Sequence, residues 1–225
     1  MPSWNIHIAH VERLLSQEGA RRLGVRDENE FLLGNLVPDI YVGYMVRDAS
    51  CRIDYKLTHL AERSQVPLPD YERFWRYYVE RPEGYGARRT SDLVLGAWCH
   101  LVCDHVYNAC TRRFLTQHGL HASERARVDK QADFADFGRT LSIERVPEAT
   151  EAVLASCKAF PAYSIAGCDV RAAVDVAARV VEENRSRHLD GEPGYRLLTP
   201  EFFEAARQQA HHVMVEGLAR RASEP

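Results

Sequence analysis

The stretch from Asp92 to about Phe114 limits the possible folds more than any other part of the chain. Leu93, Val94, Leu95, Ala97, Trp98, Leu101, Val102 and Val106 point in nearly every direction around a helix, too widely to line a single face. A helix that is apolar all round has to be wrapped by other elements or lie in a membrane, and a span requires about 18 or more apolar residues without a break. His100 and Asp104 interrupt this run. The expectation is therefore a buried central helix, opened by Ser91 as N-cap.

The segments around it also read as helices. Ile8, Val11, Leu14 and Leu15 recur at helical spacing between about Asn5 and Arg22, with Gly24 as a stop. Asp27 and Glu30 form a capping-box pattern ahead of Phe31, Leu32 and Leu33, and Gly34 and Pro38 leave residues 35–40 as an irregular turn. Asp70 caps a helix that buries Tyr71, Phe74, Trp75 and Tyr78. A polar helix follows from Ser123 to about Leu141, and Pro147 marks the first turn of the next. Asp169 is placed to cap a helix carrying Val170, Ala173, Val174, Ala177, Val180 and Val181, and Thr199-Pro200-Glu201 opens the last, which runs to Leu218. Only residues 40–46 could be extended. The expected fold is all-α: one multi-helix bundle of seven to nine helices spanning residues 1–225.

Composition narrows the function. With 45% hydrophobic and 27% charged residues the chain has a globular composition, and a net charge of −3 gives no electrostatic drive toward a stable nucleic-acid complex. The first residues lack a basic segment followed by an apolar one, so the expected location is cytoplasmic. In that compartment Cys51, Cys99, Cys103, Cys110, Cys157 and Cys168 are expected as buried free thiols. Cys99 and Cys103 share a helix face and offer a weaker soft-metal alternative.

The chemistry-bearing signal is His100 with Asp104, four residues apart and so on one helix face. Inside an apolar helix two such residues are costly without a partner, either a metal ion or a satisfied ion pair. Taken singly, His59 reads as a surface or capping residue, Asp39 as turn chemistry and His7 as a helix-start residue. His10, His105, His188, His211 and His212 read as surface or core positions, and Arg88-Arg89 and Arg112-Arg113 as surface pairs able to steer an anion.

Their order along the chain adds to this. Trp4-x-x-His7, then Leu33-Gly34-Asn35-Leu36-Val37-Pro38-Asp39, then Thr58-His59, then Leu95-Gly96-Ala97-Trp98-Cys99-His100-x-x-x-Asp104 resembles the zinc-dependent phospholipase C family over about residues 4–140. The likeness is to its short cytoplasmic bacterial members, with the fungal single-strand nucleases as more distant relatives.

The resemblance implies an all-helical bundle holding one to three zinc ions, with two the expectation. It assigns Asp39, His59, His100 and Asp104 to one ion and makes Asp104 a bridge toward a second held by His7. Asp39 and Asp104 are then catalytic carboxylates as well as ligands. The sequence departs from the family pattern where Trp4 is internal, where Asn108 stands for a His, and where residues 129–137 contain no His. Asp133 is the substitute ligand in that stretch, with Asp136 a second candidate.

The implied activity is metal-dependent hydrolysis of a small phosphate ester, preferably a phosphodiester. The alternative is a non-catalytic helical protein with a structural or vestigial metal site. A phosphohydrolase of the HD kind ranks below both, because no His-Asp dipeptide occurs.

Overall fold

The computed structural model describes residues 2–81 and 90–223, so the Arg88-Arg89 pair lies outside the described residues. Ten helices follow one another: α1 Trp4–Gln17, α2 Glu28–Gly34, α3 Val37–Ile40, α4 Tyr55–Thr58, α5 Tyr71–Tyr78, α6 Asp92–Gln117, α7 Glu124–Arg139, α8 Glu151–Lys158, α9 Gly167–Ser186 and α10 Pro200–Ala222. No strand occurs among the described residues, and none of these helices is long and apolar enough to cross a membrane.

Helix α6 is the axis. Nineteen of its 26 residues are buried, and it packs most extensively against α2 and α10, with α1 and α5 also on its surface. One hydrophobic cluster runs from Trp4 to Leu218. Each fully buried Leu, Val or Phe in such a core contributes on the order of 1.5–3 kcal/mol.

The α2–α6 crossing is unusually close. A Cβ on Gly34 would stand 2.1 Å from the Leu93 carbonyl oxygen, and one on Gly96 would stand 2.2 Å from that of Phe31. This approach lets the main chain at Asn35 reach the middle of α6.

Capping follows the sequence at α2, α5, α6, α7 and α10, where Asp27, Asp70, Ser91, Ser123 and Thr199 each accept a backbone N–H. Elsewhere the structure corrects the expectation. Helix α1 ends at Gln17 because Gly19 turns the chain at φ +79°. Residues 37–40 form a helical turn, with Pro38 in its first turn, where the missing N–H costs nothing. Residues 41–45 are turns and bends.

Thr150, not Pro147, opens α8. Asp169 lies inside α9, where its carboxylate takes the Tyr41 hydroxyl and the Ser50 N–H at 2.9 and 2.8 Å. That contact ties α9 to the segment just after α3. Tyr71 and Tyr78 are only partly buried. All six cysteines are free, but Cys51 and Cys168 are exposed.

Candidate metal centre

Four parts of the chain meet at the middle of α6. Helix α1 brings His7, α3 brings Asp39, the residue ending α4 is His59, and α6 itself supplies His100 and Asp104. The three histidines are 0% exposed and Asp104 is 1%, while Asp39 retains 8%. Their donor atoms make two groups able to hold a metal ion, His7 with His100 and Asp104, and Asp39 with His59 and His100.

The imidazole hydrogen bonds fix the tautomer of neutral His100 and leave two for His59. Asn35 contributes a carbonyl oxygen, which only accepts, so His100 Nδ1–H donates to it at 2.8 Å. Thr58 Oγ1 lies 2.7 Å from His59 Nδ1 and 3.2 Å from the Tyr55 carbonyl, so it either accepts from Nδ1–H while donating to the carbonyl or donates to a bare Nδ1. His100 is left with a bare Nε2, and His59 Nε2 stands 3.1 Å from it.

A neutral pair closes this contact only when His59 carries its proton on Nε2 and Thr58 donates to its Nδ1. With the proton on Nδ1 both Nε2 atoms are bare, and a proton between them would make one ring an imidazolium. Burial opposes that, lowering His59 to about 4 against the pull of Asp104, and holding His100 well below its ordinary value, with His7 adding to the effect. In the Nδ1–H arrangement of His59 the two bare acceptors face each other in a dry interior and are placed to share a cation.

Carboxylates surround the pair. Asp39 Oδ1 lies 3.7 Å from His59 Nε2 and 3.9 Å from His100 Nε2, and its Oδ2 accepts from Trp4 Nε1–H at 3.0 Å. Asp104 Oδ2 is 3.6 Å from His59 Nε2 and accepts from the Tyr55 hydroxyl at 2.8 Å. Donors bound at 2.0–2.2 Å to a tetrahedral ion stand roughly 3.3–3.6 Å from one another. Asp39, His59 and His100 already stand 3.1–3.9 Å apart, close to the spacing of a zinc-type centre, whereas Asp104 falls in the other donor group, with His7 and His100.

Burial raises Asp39, and the charge on Asp104 raises it further, to about 6. Burial works the same way on Asp104, but His7, His100 and His59 outweigh it and hold that carboxyl well below the usual range. A bound cation would favour the ionised form of both.

His7 stands on the other side of Asp104, with Nε2 3.3 Å from Oδ1. Its ring stacks on His100 at 3.9 Å and 4°, and neither ring nitrogen has a hydrogen-bond partner. Tyr55 covers the opposite flank, stacked on His59 at 3.8 Å.

Five of the six expected ligands thus converge. Asp133 does not join them. It is fully buried, but its oxygens accept the backbone N–H groups of Arg196, Leu197 and Leu198 at 2.7–2.8 Å, which makes it a clamp on the segment before α10. Asp136 pairs with Arg139.

Asn108 is buried and donates to the Pro67 carbonyl at 2.8 Å. His10 is buried against the Tyr107 hydroxyl, His105 is held by the Pro69 carbonyl, and His211 lies 3.6 Å from Glu18. Cys99 and Cys103 are buried outside both donor groups.

The sequence reading missed the orienting groups. Trp4 and Thr58 stood inside the quoted motifs without a role, Tyr55 lay one helical turn before His59, and the Asn35 contribution is main-chain and independent of side-chain identity.

Compared with protein-family models, curated proteins and solved structures, the chain matches none.

Proposed function

We propose that the cluster is a divalent-metal centre, with zinc the fitting ion, and that the protein hydrolyses a small phosphate ester. The observation that carries the metal reading is the convergence of the buried Nε2 atoms of His59 and His100, 3.1 Å apart, with two flanking carboxylates. Imidazole plus carboxylate is a zinc donor set, and each imidazole is held through its other nitrogen, as ligating histidines are.

Asp39, His59 and His100 would hold one ion, and Asp104 Oδ2, 3.6 Å from His59 Nε2, would become a fourth ligand only through a shift of its side chain. His100 has a single free nitrogen, so it cannot also serve a second ion. Beyond Asp104, a neighbouring position has only His7 and Asp104 Oδ1 among the donors described, and a second ion there would be weaker and completed by substrate oxygens.

When bound, zinc supplies the positive charge that polarises a phosphoryl oxygen and the acidity that makes water a nucleophile near neutral pH. The chain's own residues do the rest. Trp4 and Tyr55 aim the carboxylates, Thr58 and the Asn35 carbonyl fix both imidazoles, and the apolar body of α6 keeps bulk water from the donors. Asp39, the most exposed of the five at 8%, marks the side from which substrate and water reach the site.

That same burial favours a second reading, a structural ion locking α1, α3, α4 and α6 together. Turnover of a panel of phosphomonoesters and phosphodiesters by zinc-loaded protein separates the two. Hydrolysis lost in His100→Ala and on chelation supports the enzyme. Tight zinc binding with no turnover of any ester supports the structural ion.

A further inference from the structure

Lys130 is a cation without a counter-ion. Its residue is only 7% exposed, yet no hydrogen bond or ion pair involves its ammonium. The ammonium nitrogen is not fully sealed from solvent, but a charge so largely withdrawn from water is costly without a counter-ion. Burial pulls this ammonium below its ordinary range, and the more distant charge of Asp104 only partly opposes that.

The residue lines a cavity of about 120 Å³ between α6, α7 and the chain at 65–66 and 197. Val66, Leu115, Ala126 and Leu197 give it apolar walls. Arg127 also borders it, but its guanidinium is already matched by Glu124 through two hydrogen bonds, at 2.9 and 2.5 Å. The first turn of α7, at Ser123 and Glu124, borders the cavity together with Ala126 and Arg127. The net balance of the lining is thus one unmatched positive charge in a largely apolar cup.

Size and charge together define the occupant. An apolar cavity of about 150 Å³ takes benzene, so this one suits a molecule of about six heavy atoms. We infer that the Lys130 cavity is a binding site for a compact organic anion, a carboxylate or phosphate head on a short aliphatic body. The head pairs with Lys130, and the body packs on Val66, Leu115 and Leu197.

The site is distinct from the metal centre, although both lie on one strip of α6. Thr111 and Leu115 follow Asp104 by seven and eleven residues, within a narrow arc of the helix and about 10 Å or more along it. Asn108 lies between them on the same strip.

Butyrate and ethyl phosphate, with neutral butanol as control, test the assignment by calorimetric or NMR titration of the full chain. Both chelator-treated and zinc-loaded protein are titrated, so that failure of the metal reading does not touch the result. Saturable binding of one or both anions in both forms, with butanol at least about tenfold weaker, is expected. The better anion identifies the head group.

Lys130→Met should lose at least about tenfold in anion affinity and, by removing an unpaired buried charge, melt no lower than the wild type in the absence of anion. Ala126→Phe keeps the charge, fills the cup and should abolish binding, which leaves a test if Lys130→Met folds poorly. No saturable binding at millimolar concentrations, equal binding of butanol, or undiminished binding in either variant overturns the inference.

Discussion

Zinc should stabilise this protein by an amount that can be worked out in advance. Without a cation, His7 and Asp104 Oδ1 have no hydrogen-bond partners, and the 3.1 Å contact between the Nε2 atoms of His59 and His100 holds at most one proton. Each unsatisfied buried polar group costs about 1–3 kcal/mol, so an ion that meets several of them binds the folded chain and not the unfolded one. Free zinc at a hundred times its dissociation constant then adds about 2.7 kcal/mol. For a domain of about 150–250 residues, 1 kcal/mol corresponds to about 2–4 °C, so the melting temperature should rise by about 5–11 °C.

The assay is differential scanning calorimetry of chelator-treated protein titrated with zinc, with magnesium and calcium as hard-cation controls. In His100→Ala the zinc-dependent rise should collapse to a small fraction of that value, whatever the variant's own baseline. A melting temperature indifferent to zinc, or an equal rise in His100→Ala, would refute the reasoning.

Four further outcomes follow from the same contacts. Trp4→Phe removes the N–H that holds Asp39 Oδ2 and should weaken zinc binding about 10–100-fold, read by competition with a chromophoric chelator. In metal-free protein Asp39 is raised from 3.8 to about 6. Its neutral form is therefore the one the fold favours, and its contribution to stability is complete below about pH 4 and lost as pH rises through about 6. Asp39→Asn should then exceed chelated wild type by on the order of 3 kcal/mol above pH 6, with the gap closing toward pH 4, in urea melts across that range. Asp133→Ala strands three backbone N–H groups and should cost about 3 kcal/mol or more in the same melts, while leaving zinc stoichiometry unchanged. Gly96→Ala forces α2 away from α6 and should destabilise by about 1–3 kcal/mol or more, also weakening zinc, because Asn35 and Asp39 lie just beyond the displaced helix.

Which features the sequence disclosed depends on how local their causes are. The all-round apolar pattern of α6 made its central position readable, and side-chain caps such as Ser91 and Thr199 acted where their sequence placed them. The ends of α1 and α8 moved because Gly19 and Thr150 turn or cap the chain more effectively than Gly24 or Pro147. Asp169 illustrates a longer-range limit. Its partners Tyr41 and Ser50 are more than a hundred residues away, and nothing near it in sequence distinguishes a cap from a tether.

The site shows the same division. His7, Asp39, His59, His100 and Asp104 were visible as residue types capable of ligation in a particular order. The contacts that prepare them were not, since the Asn35 carbonyl is main chain and the Thr58 hydroxyl's role follows from a tautomer. Asp133 shows the converse error. A carboxylate in a helix is read as a ligand or as solvated, and only the path of residues 196–198 makes it a backbone acceptor.

The most direct test of the metal centre is elemental analysis of protein purified without chelator or nickel resin, comparing wild type with His59→Ala and His100→Ala. The wild type should retain about one equivalent of zinc per chain, and both variants should lose most of it. Absence of any retained metal in the wild type, or a metal content unchanged by the two substitutions, would contradict the assignment of the His59–His100 pair as its core.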